Sequence, residues 1–191
     1  MGLPARRIDQ RGFSLLELLV TLFVVVLVTS LVTLNVGSGA GDYELQGQME
    51  EIADTAAYAL DEAQFVGWDF GLLLLRSDEP DSAYSLDWLE RGPERWRAPA
   101  SGKDVFRPMD LPADITLELE LDGVLQEQEV FLPTQEFPAP QMVFYASGET
   151  PPGNLSVIDD RNGELLWRLE WDLLGNFRAL YRGEEPELQD L

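Results

Sequence analysis

Residues 13–36 read FSLLELLVTLFVVVLVTSLVTLNV, a run dominated by Leu and Val in which Glu17 is the single charge. Wound as an α-helix, these 24 residues extend roughly 36 Å, more than a hydrocarbon core of about 30 Å. The twelve residues before the run, MGLPARRIDQRG, carry Arg6, Arg7 and Arg11, whereas the segments after it are acidic. By the positive-inside rule this asymmetry places the N-terminus in the cytoplasm and the remainder of the chain across the membrane.

Two plainer readings compete. A secretory signal peptide would use an apolar region of about 7–15 residues and a small-x-small site, which here falls near Ser38–Gly41. A single-pass anchor needs only the length. Neither accounts for Glu17 in the first turns of the apolar helix. A carboxylate there costs up to about 2.5–3.5 kcal/mol at the bilayer centre, and such groups usually have a partner. If the chain began at Phe13, a neighbouring subunit's α-amine would offer Glu17 an opposite charge.

The string Gly12-Phe13-Ser14-Leu15-Leu16-Glu17, followed by an unbroken apolar helix, resembles the class III leader of type IV pilins and type II secretion pseudopilins. The resemblance implies cleavage by a prepilin peptidase between Gly12 and Phe13, and N-methylation of Phe13. It also implies that the helix stays on the mature chain, first in the inner membrane and later in a filament core. Glu17 takes the place of the family's fifth-position glutamate, with a role in filament assembly.

Composition narrows the chemistry. The 191 residues include 35 Asp and Glu against 13 Lys and Arg, a formal charge of −22, with no His and no Cys. That balance speaks against nucleic acid as a partner, because neutralising phosphates needs clustered bases. Without His or Cys there is no thiol nucleophile, no Ser-His pair and no nitrogen or sulfur metal ligand. Lys103 is the one lysine.

Past the apolar run, Gly37, Gly39 and Gly41 predict a kink or break, since each costs about 1 kcal/mol relative to Ala in a helix. Asp42 is then placed to cap a second, amphipathic helix whose apolar stripe is Leu45, Met49, Ile52, Ala56, Leu60 and Ala63. From about Gly67 the period becomes that of strands. Ile115–Leu121 alternates strictly, and Asp122-Gly123 turns it into an expected strand at Leu125–Leu132. Leu155–Ile158 and Leu165–Trp171 flank Arg161-Asn162-Gly163, with Leu165, Trp167, Leu169 and Trp171 on one face. Gly71–Arg76, Tyr84–Trp88, Gln141–Ala146 and Asn176–Tyr181 are further strand candidates, and prolines at 133–140 and 151–152 suit loops.

The expected fold class is therefore α+β: a long N-terminal transmembrane and amphipathic helix packed on an antiparallel two-sheet β sandwich, the arrangement that the pilin-like resemblance also implies. The expected division is a leader at 1–12, a transmembrane and filament-core helix at 13–36, a linker and amphipathic helix at 37–67, a periplasmic β-rich domain at 68–183 and an acidic tail at 184–191.

Neither of two catalytic or metal readings survives its residues. Asp159-Asp160-Arg161-Asn162-Gly163-Glu164 looks like a calcium loop, but with Gly163 at the sixth place the first and twelfth ligands would be Ile158 and Leu169. A carboxylate-pair hydrolase cannot be argued from proximity in so acidic a chain, and the Trp167 and Trp171 spacing reads as core. Trp68, Trp88 and Trp96 are open between core and interface. No catalytic residue, metal or other cofactor is expected.

At the other end, Phe144-Tyr-Ala-Ser-Gly-Glu149, Leu155–Ile158, Leu166–Asp172 and Gly175 resemble the end of the GspH/FimT family. That resemblance implies a minor pseudopilin of the type II secretion pseudopilus, near the filament tip, helping export folded proteins across the outer membrane. The implied partners are other major and minor pseudopilins, prepilin peptidase and inner-membrane lipid, with the secretin and secreted cargo as further candidates. The implied location is the inner membrane, single-pass, with a periplasmic C-terminal domain. A minor pilin of a type IV pilus and a membrane-anchored periplasmic binding module that never assembles remain as alternatives.

Overall fold

The structure is a computed structural model that describes residues 15–100, 104–133 and 138–184, with the backbone alone for residues 28–42. Gly12, Phe13, Lys103 and the acidic tail beyond Glu184 lie outside the described residues. One helix, α1 (Leu15–Val66), precedes the strands β1 (Phe70–Arg76), β2 (Ser82–Arg91), β3 (Trp96–Arg97), β4 (Met109–Pro112), β5 (Ile115–Leu121), β6 (Val124–Leu125), β7 (Met142–Phe144), β8 (Gly153–Asp159), β9 (Leu165–Trp171) and β10 (Phe177–Tyr181). Contacts divide the chain into two units, Met1–Ala40 and Gly41–Leu191.

The expected break at the glycines is not a break in the helix. α1 runs through residues 37–41, and Asp42 lies inside it rather than capping a second helix. A glycine penalty of about 1 kcal/mol is a weak preference, and turns already formed on either side carry the ladder across. α1 ends where Gly67, at φ 74°, donates its N–H to the Ala63 carbonyl at 2.9 Å. That left-handed residue is the common glycine stop of a helix.

Within the Gly41–Leu191 unit two five-stranded antiparallel sheets form. The first has the order β3-β2-β1-β7, with β4 also beside β2; the second has the order β10-β9-β8-β5-β6. Strict alternation puts Leu117 and Leu119 of β5, and Trp167, Leu169 and Trp171 of β9, on the inner face. They share one core with Phe70, Leu72 and Leu74 of β1, Tyr84, Leu86 and Trp88 of β2, and the whole expected α1 stripe from Leu45 to Ala63. Trp88 thus resolves as core, Trp68 is exposed, and Trp96 lies half-buried under the Arg91 guanidinium at 5.2 Å. Leu165 is only half-buried, because the pairing register shifts after Val157.

The expected strand Leu125–Leu132 shrinks to the two-residue β6. The Asp122-Gly123 turn forms, with φ 52° and 76°, but Gln126-Glu-Gln-Glu129 offers no alternating face, and Gln128–Phe131 coils into a 3₁₀ turn. Phe131 is fully buried against Tyr84, ring centroids 5.6 Å apart. This turn seals edges that a longer strand would have paired. Gln128 Nε2 donates to the Leu117 carbonyl (2.7 Å), and the Tyr84 hydroxyl accepts from Leu117 N–H (3.3 Å). Gln141 does the same for β1: Oε1 accepts from Leu74 N–H (2.8 Å), while Nε2 donates to the carbonyls of Leu74 (3.0 Å) and Val130 (2.6 Å). Side-chain amides stand in for missing strands, as buried backbone groups require.

Two turns carried by the C-terminal motif lock α1 onto the sheets. In Phe144–Glu149, Tyr145 and Glu149 pair (2.9 Å) and Gly148 adopts φ 89°, where a Cβ would stand 2.9 Å from Gln64 of α1. In Asp172–Gly175, the Asp172 carboxylate accepts from Leu174 N–H (2.9 Å) and Asn176 N–H (3.0 Å). Gly175, at φ 75°, leaves no room for a Cβ beside Leu60 Cδ2. The turns join through Thr150 N–H to the Leu173 carbonyl (3.0 Å).

Two expectations follow for the segment from Asp42 onward, expressed alone and unfolded with urea. Gly175→Ala should cost about 2–5 kcal/mol, summing a left-handed penalty of about 1–2 and overpacking of about 1–3. Gly163→Ala, at φ 72° but facing open space, should lose only the first part, about 1–2 kcal/mol. Equal losses would show that Gly175 does not pack on Leu60. Gln141→Glu keeps an acceptor for Leu74 but sets a carboxylate against two carbonyls, so it should cost about 1–3 kcal/mol; an unchanged midpoint would refute the edge-sealing role.

Candidate functional site

The exposed part of α1 is the first candidate. Every large apolar side chain from Leu15 to Leu27 is exposed, by 46% to 77%, and successive residues 100° apart carry that surface around the whole helix. Among the described side chains this stretch spans 13 residues, about 20 Å. Among the described residues no helix is long and apolar enough to cross a membrane. In sequence the apolar run continues to Val36, through residues whose side chains lie outside the description. Glu17 sits in the first turn, exposed, and its carboxylate has no ion-pair or hydrogen-bond partner among the described residues. The Thr21 hydroxyl donates to the Glu17 carbonyl at 2.6 Å, a backbone link that leaves the carboxylate free for something else. Gly12 and Phe13, the expected cleavage and methylation positions, lie outside the described residues.

The acidic loop 159–164 spends its charges on its own turn and on the chain beside it, where Arg182 lies 3.4 Å from the Glu164 carboxylate. Asp159 is buried, accepts from Arg161 N–H (2.8 Å) and Nε–H (3.0 Å), and pairs with Arg161 Nη2 at 2.8 Å. Those hydrogen bonds hold its carboxyl below the usual carboxylate range. Asp160 is engaged by the Thr116 hydroxyl, and Asn162 Oδ1 accepts from Glu164 N–H at 2.8 Å. Among the described residues no group of three or more Asp and Glu converges as a metal site would require.

A cleft of about 390 Å³ opens between Asn154, Glu170, Trp171, Asp172 and Arg178. It holds two carboxylates, the minimum for glycoside hydrolysis, where one must be kept protonated. Asp172 is pushed the opposite way: hydrogen bonds from the Asn176 side chain and backbone lower its pKa. Glu170 lies between Arg168 and Arg178, each 3.9 Å away. The Trp171 indole donates to the Pro151 carbonyl at 2.6 Å and its ring is core. These groups build a turn and a sheet face rather than an acid–base pair. Asp87 has its carboxyl pKa raised, by burial and then by Asp110, on β2 and β4 away from the cleft.

What the described residues bring together is an apolar helix with one acid near its start that none of them pairs, and a sandwich whose motif glycines grip the other end of that helix. The sequence motif gave no sign of the second arrangement, because the contacts of Gly148 with Gln64 and of Gly175 with Leu60 join residues far apart in the chain.

Comparison with known proteins follows the same two ends. Residues 7–33 match the family described as the prokaryotic N-terminal methylation motif. The chain is 28% identical over 190 residues to type II secretion system protein H of Aeromonas hydrophila, covering 95% of this chain and all of that one. It is 30% identical over 156 residues to type II secretion system protein H of Pseudomonas aeruginosa, covering 78% of this chain and 83% of that one. Two solved structures of the minor pseudopilin EpsH from the type II secretion system of Vibrio cholerae superpose with a TM-score of 0.55 each. They are 24% and 25% identical, and cover 74% and 73% of this chain and 98% and 94% of theirs. A methylation-type N-terminus, relatives over 95% and 78% of the chain and the shared two-sheet fold converge: the chain belongs to the type II secretion system protein H family and is a minor pseudopilin.

Proposed function

We propose that the chain is cut between Gly12 and Phe13, methylated at Phe13, held in the inner membrane by residues 13–36, and assembled with other pseudopilins near the tip of a filament that helps export folded proteins. Residues 37–67 connect that anchor to a periplasmic domain at 68–183, with 184–191 as an acidic tail. The role is one of assembly and carries no catalysis.

The observation that carries this reading is the exposure of the helix between Leu15 and Leu27. Eleven large apolar side chains there retain about half to three quarters of their surface in contact with solvent. At about 1.5–3 kcal/mol for full burial of each, covering them is worth on the order of 10–20 kcal/mol. That rivals the entire stability of a typical domain, about 5–15 kcal/mol, so the helix is built to be covered by lipid or by other helices. It also outweighs the cost of inserting Glu17, at most about 2.5–3.5 kcal/mol.

Glu17 then has a specific task. A new α-amine at Phe13 of a neighbour, about 4 Å away, would attract it by about 4 kcal/mol at an effective dielectric near 20, less what desolvation removes. Such a pair fixes one axial position of one subunit beside the next. The high negative charge fits a subunit present in few copies, since side-by-side repeats would face acid to acid within the screening length of roughly 8–10 Å.

Glu17→Leu tests the pairing. The variant should insert and accumulate in membranes at normal levels, with its periplasmic unit folded. Its recovery in sheared filaments, and secretion of cargo by the cells, should fall sharply. Normal recovery of Glu17→Leu in filaments with secretion unchanged would count decisively against an assembly role for this residue.

A further inference from the structure

Three loops meet at the end of the Gly41–Leu191 unit where α1 stops: residues 67–69, 145–150 and 172–175. Their links are explicit. Ala146 N–H donates to the Asp69 carboxylate (3.0 Å), Thr150 N–H to the Leu173 carbonyl (3.0 Å), and Gly148 and Gly175 press on Gln64 and Leu60 of the last turns of α1. Each loop nevertheless presents large apolar side chains to solvent: Trp68 is 48% exposed, Tyr145 41%, Leu173 49% and Leu174 69%. Phe65 and Val66, on the last turn of α1, are exposed as well.

Nothing in the turn chemistry asks for these side chains. Asp172 and Gly175 make one turn, Gly148 makes the other, and positions 173 and 174 would accept polar residues at no cost in backbone geometry. Loop tips are ordinarily polar, and a cluster of exposed aromatic and Leu side chains from three separate loops marks a surface that another molecule covers. Its surroundings specify that molecule. Asp69, Glu149 and Asp172 stand among the apolar groups. Arg91, joined to Asp69 through the backbone, turns its guanidinium over Trp96, and Arg178 in the adjoining cleft is engaged by Glu170. A second copy would set the same three acids against themselves.

We infer that this three-loop surface docks the globular domain of a different pilin-like subunit, one whose contact surface is apolar at its centre and bordered by Lys or Arg. The inference rests on the assembly reading above and adds a partner chemistry and a face to it. Burying the aromatic and Leu side chains supplies the affinity, and the acids select a basic partner over a like-charged one.

The test uses the full chain in cells that make all the pseudopilins of the same system, with p-benzoylphenylalanine at single positions. Trp68 and Leu174 probe the loop surface, Tyr181 probes an exposed aromatic residue at the end of β10 away from residues 172–175, and Leu22 probes the apolar helix. Expected are adducts from Trp68 and Leu174 to one particular other pseudopilin, with none from Tyr181. Combining the Trp68 probe with Leu174→Asp should lower that adduct at least roughly tenfold, the loss of a central interface side chain, while membrane levels of the chain stay normal. Adducts from Leu22 but none from Trp68 and Leu174 would overturn the docking surface and leave assembly standing. An absence of adducts from Leu22 too would overturn the assembly reading and this inference with it. Adducts from Leu174 only to a second copy or to lipid would overturn the choice of partner.

Discussion

The helix surface between Leu15 and Leu27 is a quantity of apolar area that the described part of this chain leaves uncovered, and most of the remaining design answers to that fact. A helix apolar on one stripe folds against its own domain; a helix apolar all round needs a medium or neighbours. α1 is both in turn. From Leu45 to Ala63 its buried residues recur at three and four, and Asp54 and Asp61 face solvent. From Leu15 to Leu27 no such division exists. One continuous helix thus changes the environment it is written for, and Glu17 is the single charge in the earlier stretch.

The sandwich is correspondingly occupied with holding the later stretch. One core joins α1 to both sheets, and at two tight approaches a glycine leaves out the side chain: Gly148 at Gln64 and Gly175 at Leu60. Buried backbone groups at the sheet edges are met by Gln128, Gln141 and the Tyr84 hydroxyl rather than by further strands. The two carboxylates whose pKa is lowered are structural in the same sense. Asp159 and Asp172 are held ionised by the turns they organise, so the stability they add is present above the usual carboxylate range and fades as pH falls through their lowered pKa values.

Much of this was legible in the sequence because period and length are local signals. The strict alternation at Ile115–Leu121 and at Leu165–Trp171 gave strands with those bounds, and the stripe from Leu45 to Ala63 gave the buried face of α1. The misreadings were places where local preference was overruled or too short to register. The glycines at 37–41 weaken a helix without stopping one already formed on both sides. The segment after Leu125 contains apolar residues but no alternation across Gln126–Glu129, so it buries Phe131 by coiling. β3 and β4, two and four residues long, carry no period at all and exist because β2 is long enough to pair with both on one side. The N-terminal methylation-type motif was readable as a string, Gly12 to Glu17, whereas the docking of the two C-terminal turns on α1 depends on contacts between residues some eighty or more positions apart, which no local pattern carries.

The assembly role turns on whether the apolar helix remains on the working protein. Intact-mass and terminal-peptide mass spectrometry of the protein recovered from membranes reads this directly. A chain beginning at N-methylated Phe13, with residues 13–36 retained, is the expected result. A mature end near Ala40, produced by removal of the apolar run as an ordinary signal peptide, would contradict it.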